Sequence, residues 1–193
     1  MRSKKIDAKP LPQEWEVVEM GDFLLESLSY GINAPAVARD SSKPTYIRIT
    51  DITEDGRYSP DPPVSVDHPN YRRYTLEKGD IVFARTGASV GKSYLYDPSD
   101  GDLVYAGFLI KVKPNKKELL PEFLSYSVQT KRYWNWVQSV SMRSGQPGVN
   151  GAQYSQFTFP LPPLPEQRAI AEALSDVDAL IERLDALIAK KRA

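Results

Sequence analysis

Apolar positions along this chain follow two regimes. Up to about residue 160 they fall in short runs of β-branched and aromatic residues, broken by Gly, Pro and Asp; past Pro165 they recur at helical spacing with no further Gly or Pro. The first regime predicts short strands. These are Trp15–Val18, Tyr46–Ile49, Asp80–Arg85, Ser93–Tyr96, Leu103–Ala106, Phe108–Val112 and a last one at Gln156–Phe159. Helices are expected near Asp22–Leu28 and from Pro121 to about Gln138, with Pro121 suited to a first helical position.

The second regime predicts one uninterrupted helix. Glu166 lies in its first turn and Lys190, Lys191 and Arg192 in its last, an order that suits the helix dipole. Ile170, Leu174, Val177, Ile181, Leu184 and Ile188 follow alternating spacings of four and three, thickened by Leu180 and Leu187. That is a heptad seam, and a helix of about 27 residues would reach about 40 Å. So long a helix outreaches a domain of this size, so the seam is expected to meet a partner helix. The fold class is therefore a mixed α/β globular domain followed by a long C-terminal coiled-coil helix. The expected boundaries are 1–160 for the domain, 161–165 for a proline-rich hinge and 166–193 for the helix.

Composition then narrows the chemistry. The 25 basic and 25 acidic side chains cancel, so no global basic field argues for nucleic acid. With no cysteine, disulfides, thiolate nucleophiles and cysteine zinc sites are excluded. The single histidine, His68, sits between Asp67 and Pro69 in a proline-rich stretch, which favours a solvated loop residue over a catalytic base and leaves no multi-histidine metal site. Carboxylates such as Glu54/Asp55 and Asp61/Asp67 stand in turn-rich sequence, where Asp is common for backbone reasons. No apolar run approaches the roughly 20 residues of a membrane span, and a cytoplasmic protein without membrane association is expected.

Gly87-Ala88-Ser89-Val90-Gly91-Lys92-Ser93 imitates a phosphate-binding loop but is one residue short between its glycines. It also leads into β-like sequence rather than a helix. A strand–loop–strand hairpin carrying Arg85, Thr86 and Lys92 is the better reading. From Lys111 to Arg143 there are seven basic residues against two acids, interleaved with Tyr126, Tyr133, Trp134 and Trp136. The following stretch, Met142–Gly151, is glycine-rich and holds Arg143, Gln146 and Asn150, the side-chain types that read guanine or adenine edges. The DNA-contact candidates are Arg48, Arg85, Thr86, Lys92, Lys131, Arg143, Gln146 and Asn150. The dimerisation candidates are Ile170, Leu174, Val177, Ile181, Leu184 and Ile188.

Four stretches resemble one known family. Phe159-Pro160-Leu161-Pro162-Pro163-Leu164-Pro165-Glu166-Gln167-Arg168-Ala169-Ile170 resembles the P-L-P-P-L-x-E-Q-x-x-I signature opening the spacer helix of Type I restriction–modification specificity subunits. Leu11-Pro12-Gln13-Glu14-Trp15 resembles the family's L-P-x-x-W domain start. Gly79–Gly87 with Val90-Gly91-Lys92 resembles its G-D-[IL]-[LV] stretch, and Gly145-Gln146 to Asn150 its loop before the last strand. The resemblance implies a non-catalytic target-recognition domain that binds double-stranded DNA and reads half of a bipartite target. It implies methylation subunits as partners, which carry S-adenosylmethionine while this chain holds no cofactor, and motor/nuclease restriction subunits that join them. It leaves two forms open: a half-subunit acting as a homodimer, or the N-terminal half of a longer protein. The rival from another class is a coiled-coil scaffold whose head binds protein, and a small nuclease is third.

Overall fold

The computed structural model describes residues 11–142 and 148–192, and its organising element is a strand buried on both faces. In β6 (Ile81–Ala84) every residue is buried. Because side chains alternate across a strand, Ile81 and Phe83 enter one core while Val82 and Ala84 enter another. β6 pairs antiparallel with β7 (Ser93–Leu95) and with β9 (Leu109–Val112), which in turn pairs with β2 (Ser29–Tyr30). A second four-stranded sheet runs β3 (Ala36–Ala38), β5 (Val64–Val66), β4 (Thr45–Ile47), β8 (Leu103–Tyr105), with β4 and β8 parallel. A two-stranded ribbon joins β1 (Glu16–Glu19) to β10 (Thr158–Leu161).

Three hydrophobic clusters fill the spaces between these layers. Phe83, Ile110, Leu124, Tyr133, Tyr154 and Phe157 pack between the first sheet and the helices α1 (Pro121–Ser127), α2 (Lys131–Ser141) and α3 (Gly151–Ser155). Ile47, Val82, Tyr94, Tyr105 and Leu109 fill a second cluster between the sheets. Ile32, Tyr46, Val66 and Val104 form the third. Truncating a fully buried side chain such as Phe83 would cost about 3–5 kcal/mol.

Several expected elements change on folding. The stretch 121–138 is two helices, because Thr130 caps the second: its Oγ1 accepts from the Tyr133 amide at 3.3 Å and donates to the Ser127 carbonyl at 2.8 Å. No helix spans Asp22–Leu28. Only a 3-10 turn forms at Met20–Phe23, since the Phe23 carbonyl accepts from Asn115 and the Leu25 amide donates to Lys113. The last strand lies two residues later than expected and contains Pro160, tolerated because its ribbon has only two strands.

The long helix, α4 (Leu164–Arg192), has 29 residues and starts two residues before the expected position. Its root is bonded rather than loosely hinged. Gln167 is 1% exposed; its amide oxygen accepts from the Leu120 amide at 2.9 Å, and its Nε2 donates to the carbonyls of Glu118 (2.8 Å) and Pro162 (2.9 Å). Further along, Tyr126 donates to Asp178 at 2.8 Å and Arg57 pairs with Glu182 at 2.8 Å. Tyr126 is pushed up to about 12, mainly by burial and then by Asp178, so its hydroxyl stays a donor at neutral pH. Among the described residues no helix is long and apolar enough to cross a membrane.

Candidate nucleic-acid interface

The hairpin that imitates a phosphate loop is strand–turn–strand. β6 ends at Ala84, a 3-10 turn occupies Gly87–Ser89 and β7 begins at Ser93. Two buried tyrosines hold its base from below: the Tyr154 hydroxyl donates to the Ala84 carbonyl at 2.9 Å and the Tyr133 hydroxyl to the Gly91 carbonyl at 2.7 Å. Burial raises both phenols, which keeps them neutral and donating. Gly91 is required twice over. Its φ is +90°, and an added Cβ would stand 2.9 Å from Trp134 and Val137. The absent side chain is what lets α2 press against the hairpin.

From this base the chain presents Arg85 and Thr86 beside the segment Gly148–Asn150. The Val149 amide donates to the Arg85 carbonyl at 2.9 Å, and Thr86 bridges Gly148. Arg143 and Gln146 lie outside the described residues; Gly148, two positions past Gln146, is on the hairpin. The Arg85 guanidinium lies over the Tyr30 ring, 4.8 Å from its centroid. Tyr30, absent from the sequence-based candidates, is thus part of the same surface. No pattern in the sequence marked it, since its two-residue strand is too short to leave one.

Asn150 has a structural duty there. Its side chain accepts from the Gln153 amide at 2.9 Å while the Gln153 side chain accepts from the Asn150 amide at 2.8 Å, a reciprocal cap on α3. Lys92 turns elsewhere, its Nζ reaching the Ile52 carbonyl at 3.4 Å. Lys131 is exposed in the first turn of α2. Arg48 stands apart from this group: its guanidinium grips the buried Asp51 at 2.7 Å and reaches the Pro62 carbonyl. That side chain is committed to the fold.

In the basic stretch from Lys111, the first three lysines have local partners. Lys111 pairs with Glu26, Lys113 with Glu77, and Lys116 donates to the Lys78 carbonyl. Of its aromatics, Tyr133 is fully buried and Trp136 packs on Tyr133, Tyr154 and Phe157. His68 sits in a turn and accepts from the Asn70 amide. A cleft of about 910 Å³ between α4 and the globular part is lined by Asp97, Glu122, Asp176, Asp178 and Glu182 against Arg57 and Arg168. An acid-rich wall repels phosphate.

On α4, Ile170 is half-buried against the first core, whereas the rest of the predicted seam is open. Leu174, Val177, Leu180, Ile181, Leu184, Leu187 and Ile188 are each 40% to 55% exposed.

The chain is similar to known proteins over most of its length. The model of the Type I restriction modification DNA specificity domain matches residues 12–190. In Methanocaldococcus jannaschii, the protein designated the type I restriction enzyme MjaX specificity subunit is 31% identical over 188 residues, spanning 92% of this chain and 43% of its own length. The MjaVIII specificity subunit of the same organism is 27% identical over 180 residues, spanning 92% and 39%. Among solved structures, the HsdS subunit from Thermoanaerobacter tengcongensis superposes with a TM-score of 0.66 at 24% identity, over 94% of this chain and 45% of that one. The present chain therefore spans less than half the length of the relatives it matches. With the match running from before the first strand into the last turn of α4, the chain belongs to the Type I restriction modification DNA specificity domain family.

Proposed function

We propose that this chain is a non-catalytic reader of double-stranded DNA that recognises one half of a bipartite target in the cytoplasm. It would present that half-site to methylation subunits, which carry S-adenosylmethionine, and through them to motor/nuclease restriction subunits. The observation that carries the reading is the convergence of Arg85 and Thr86 with Gly148–Asn150 on one buttressed hairpin, in a chain of this family. Arg85, Thr86 and Asn150, with Arg143 and Gln146 of the intervening sequence, are the base or phosphate contacts. Lys92 and Lys131 supply phosphate contacts at the flanks, while Arg48, engaged by Asp51, is left out.

α4 is the ruler. Its open stripe pairs with a second helix, from another copy or from a second half of the same subunit, as a coiled coil. Covering seven half-exposed aliphatic side chains would return on the order of 5–10 kcal/mol gross, comparable with the cost of association. Two weak half-site readers fixed on one rigid body then bind as one, because the second contact becomes intramolecular.

Methylome sequencing of a host with and without the gene tests the assignment. A split adenine-methylated motif should vanish on deletion; an unchanged methylome would sink it. The second reading, a coiled-coil scaffold whose head binds protein, draws on the same exposed stripe and predicts no DNA sequence preference with or without methylation subunits.

A further inference from the structure

At the edge of the candidate interface an arginine, a tyrosine and a phenylalanine meet for reasons the backbone makes plain. Tyr30 ends β2 opposite Ile110. Gly31 follows it, and a Cβ there would fall 2.2 Å from the Ala106 carbonyl oxygen and 2.4 Å from that of Tyr105. Only glycine allows this approach, which lays the exit of β2 against the turn between β8 and β9. That turn, closed by the Leu109 amide on the Ala106 carbonyl at 2.8 Å, lifts Phe108 off the sheet and leaves it 59% exposed. The Phe108 carbonyl accepts from the Arg85 amide at 3.0 Å, so the two residues are neighbours across the strands.

Tyr30 is held at both ends. Its backbone is in the sheet, and its hydroxyl accepts from the Gly151 amide at 3.0 Å. The Arg85 guanidinium lies on its face, and among the described residues no carboxylate pairs with that guanidinium. A stacked guanidinium has its plane fixed and its N–H fork turned outward, the geometry that matches the O6 and N7 acceptors of guanine and that lysine cannot reproduce. An exposed aromatic ring on Phe108, the residue hydrogen-bonded to Arg85 across the strands, matches the C5-methyl group of thymine.

We propose that Arg85, held over the Tyr30 ring, reads a guanine in the major groove, and that Phe108 packs on the methyl group of a thymine in the adjoining base pair. This rests on the DNA-reading assignment above. It adds two residues to the recognition surface and states which bases that surface takes.

The test is selection of duplexes from a randomised library by the full chain, followed by binding titrations on the winning duplex. The wild type should select a guanine with a thymine in the neighbouring pair. Arg85→Lys and Tyr30→Leu should relax the choice at the guanine, Arg85→Lys by about tenfold. Replacing that thymine by deoxyuridine, which removes only the methyl group, should weaken the wild type several-fold and leave Phe108→Ala unaffected. A selected site without that thymine, or an equal loss for the wild type and Phe108→Ala on deoxyuridine, would overturn the Phe108 assignment. A site whose guanine survives Arg85→Lys unchanged would overturn the Arg85 assignment. A wild type that selects no sequence would overturn the DNA-reading assignment and this inference together. Phe108 is exposed and its variant folds; thermal unfolding of the Tyr30→Leu chain separates loss of reading from loss of structure.

Discussion

The indole nitrogen of Trp15 donates to the Glu166 carboxylate at 3.0 Å, across 151 residues of sequence. Trp15 precedes the first strand and Glu166 lies in the first turn of α4, so the start of the globular part is tied to the root of the helix. One position on, the buried Gln167 side chain makes three bonds to the main chain.

These two contacts differ in weight. Gln167→Ala should destabilise the chain by about 2–4 kcal/mol, because an amide and two carbonyls lose their partner in a buried site. Trp15→Phe removes an exposed bond and should cost under about 1 kcal/mol. Urea unfolding at fixed protein concentration measures both. A Gln167→Ala chain as stable as the wild type would refute the account of the joint.

Glycine positions offer a paired contrast. Gly91→Ala combines a positive φ with a clash against Trp134 and Val137, whereas Gly101→Ala has a similar φ of +75° and nothing within 4 Å. Gly101→Ala should therefore cost only the backbone penalty of about 1–2 kcal/mol, and Gly91→Ala clearly more. Equal losses in thermal unfolding would mean that the hairpin and α2 are not in tight contact.

The open stripe of α4 predicts self-association that depends on its central residues. Leu174→Glu with Ile181→Glu should give a monomer in sedimentation while the near-ultraviolet dichroism of the buried aromatics persists. A dimer that survives both changes would place the interface elsewhere. Ile170 makes a poor test, since it also packs on the core.

Stability should fall with acidification, and Asp80 should soften the fall. Hydrogen bonds from Ser42 and from Thr53 lower Asp40 and Asp55, Lys113 lowers Glu77, and the Ser99 amide lowers Asp97. A carboxyl lowered on folding adds stability above its unfolded pKa and loses it as pH drops through its folded value. Burial raises Asp80 instead, so the folded state holds that proton more tightly and gains as pH drops. The urea midpoint should decline below about pH 4.5, and more steeply in Asp80→Asn. An unchanged slope in that variant would refute the assignment of Asp80.

The legible parts of this molecule are those where one physical signal acts over many residues. The gap-free run after Pro165 announces α4, and the β-branched content of Ile81–Ala84 announces a strand, which the fold buries on both faces. β2 and β3 were illegible, because two or three residues carry no periodicity and pair only through distant partners. The break in 121–138 was written in Thr130 but hidden by the helical propensity around it. At the candidate site, Arg85 and Thr86 stand out by residue type and hairpin position. Tyr30 and Phe108 depend on an approach at Gly31 that only the folded backbone reveals. Arg48 illustrates the converse: its chemistry suits DNA, but the cation is already held by Asp51 three residues away.

All three partners of Gln167 are peptide groups, of Leu120, Glu118 and Pro162. A joint made from main-chain atoms is indifferent to which side chains its neighbours carry. The ribbon of β1 with β10 also brings the beginning and end of the globular part to the same place. Substitutions across the proposed reading surface can therefore accumulate without remaking the attachment to the helix. A chain built this way can change its exposed face while keeping the joint from which its helix extends.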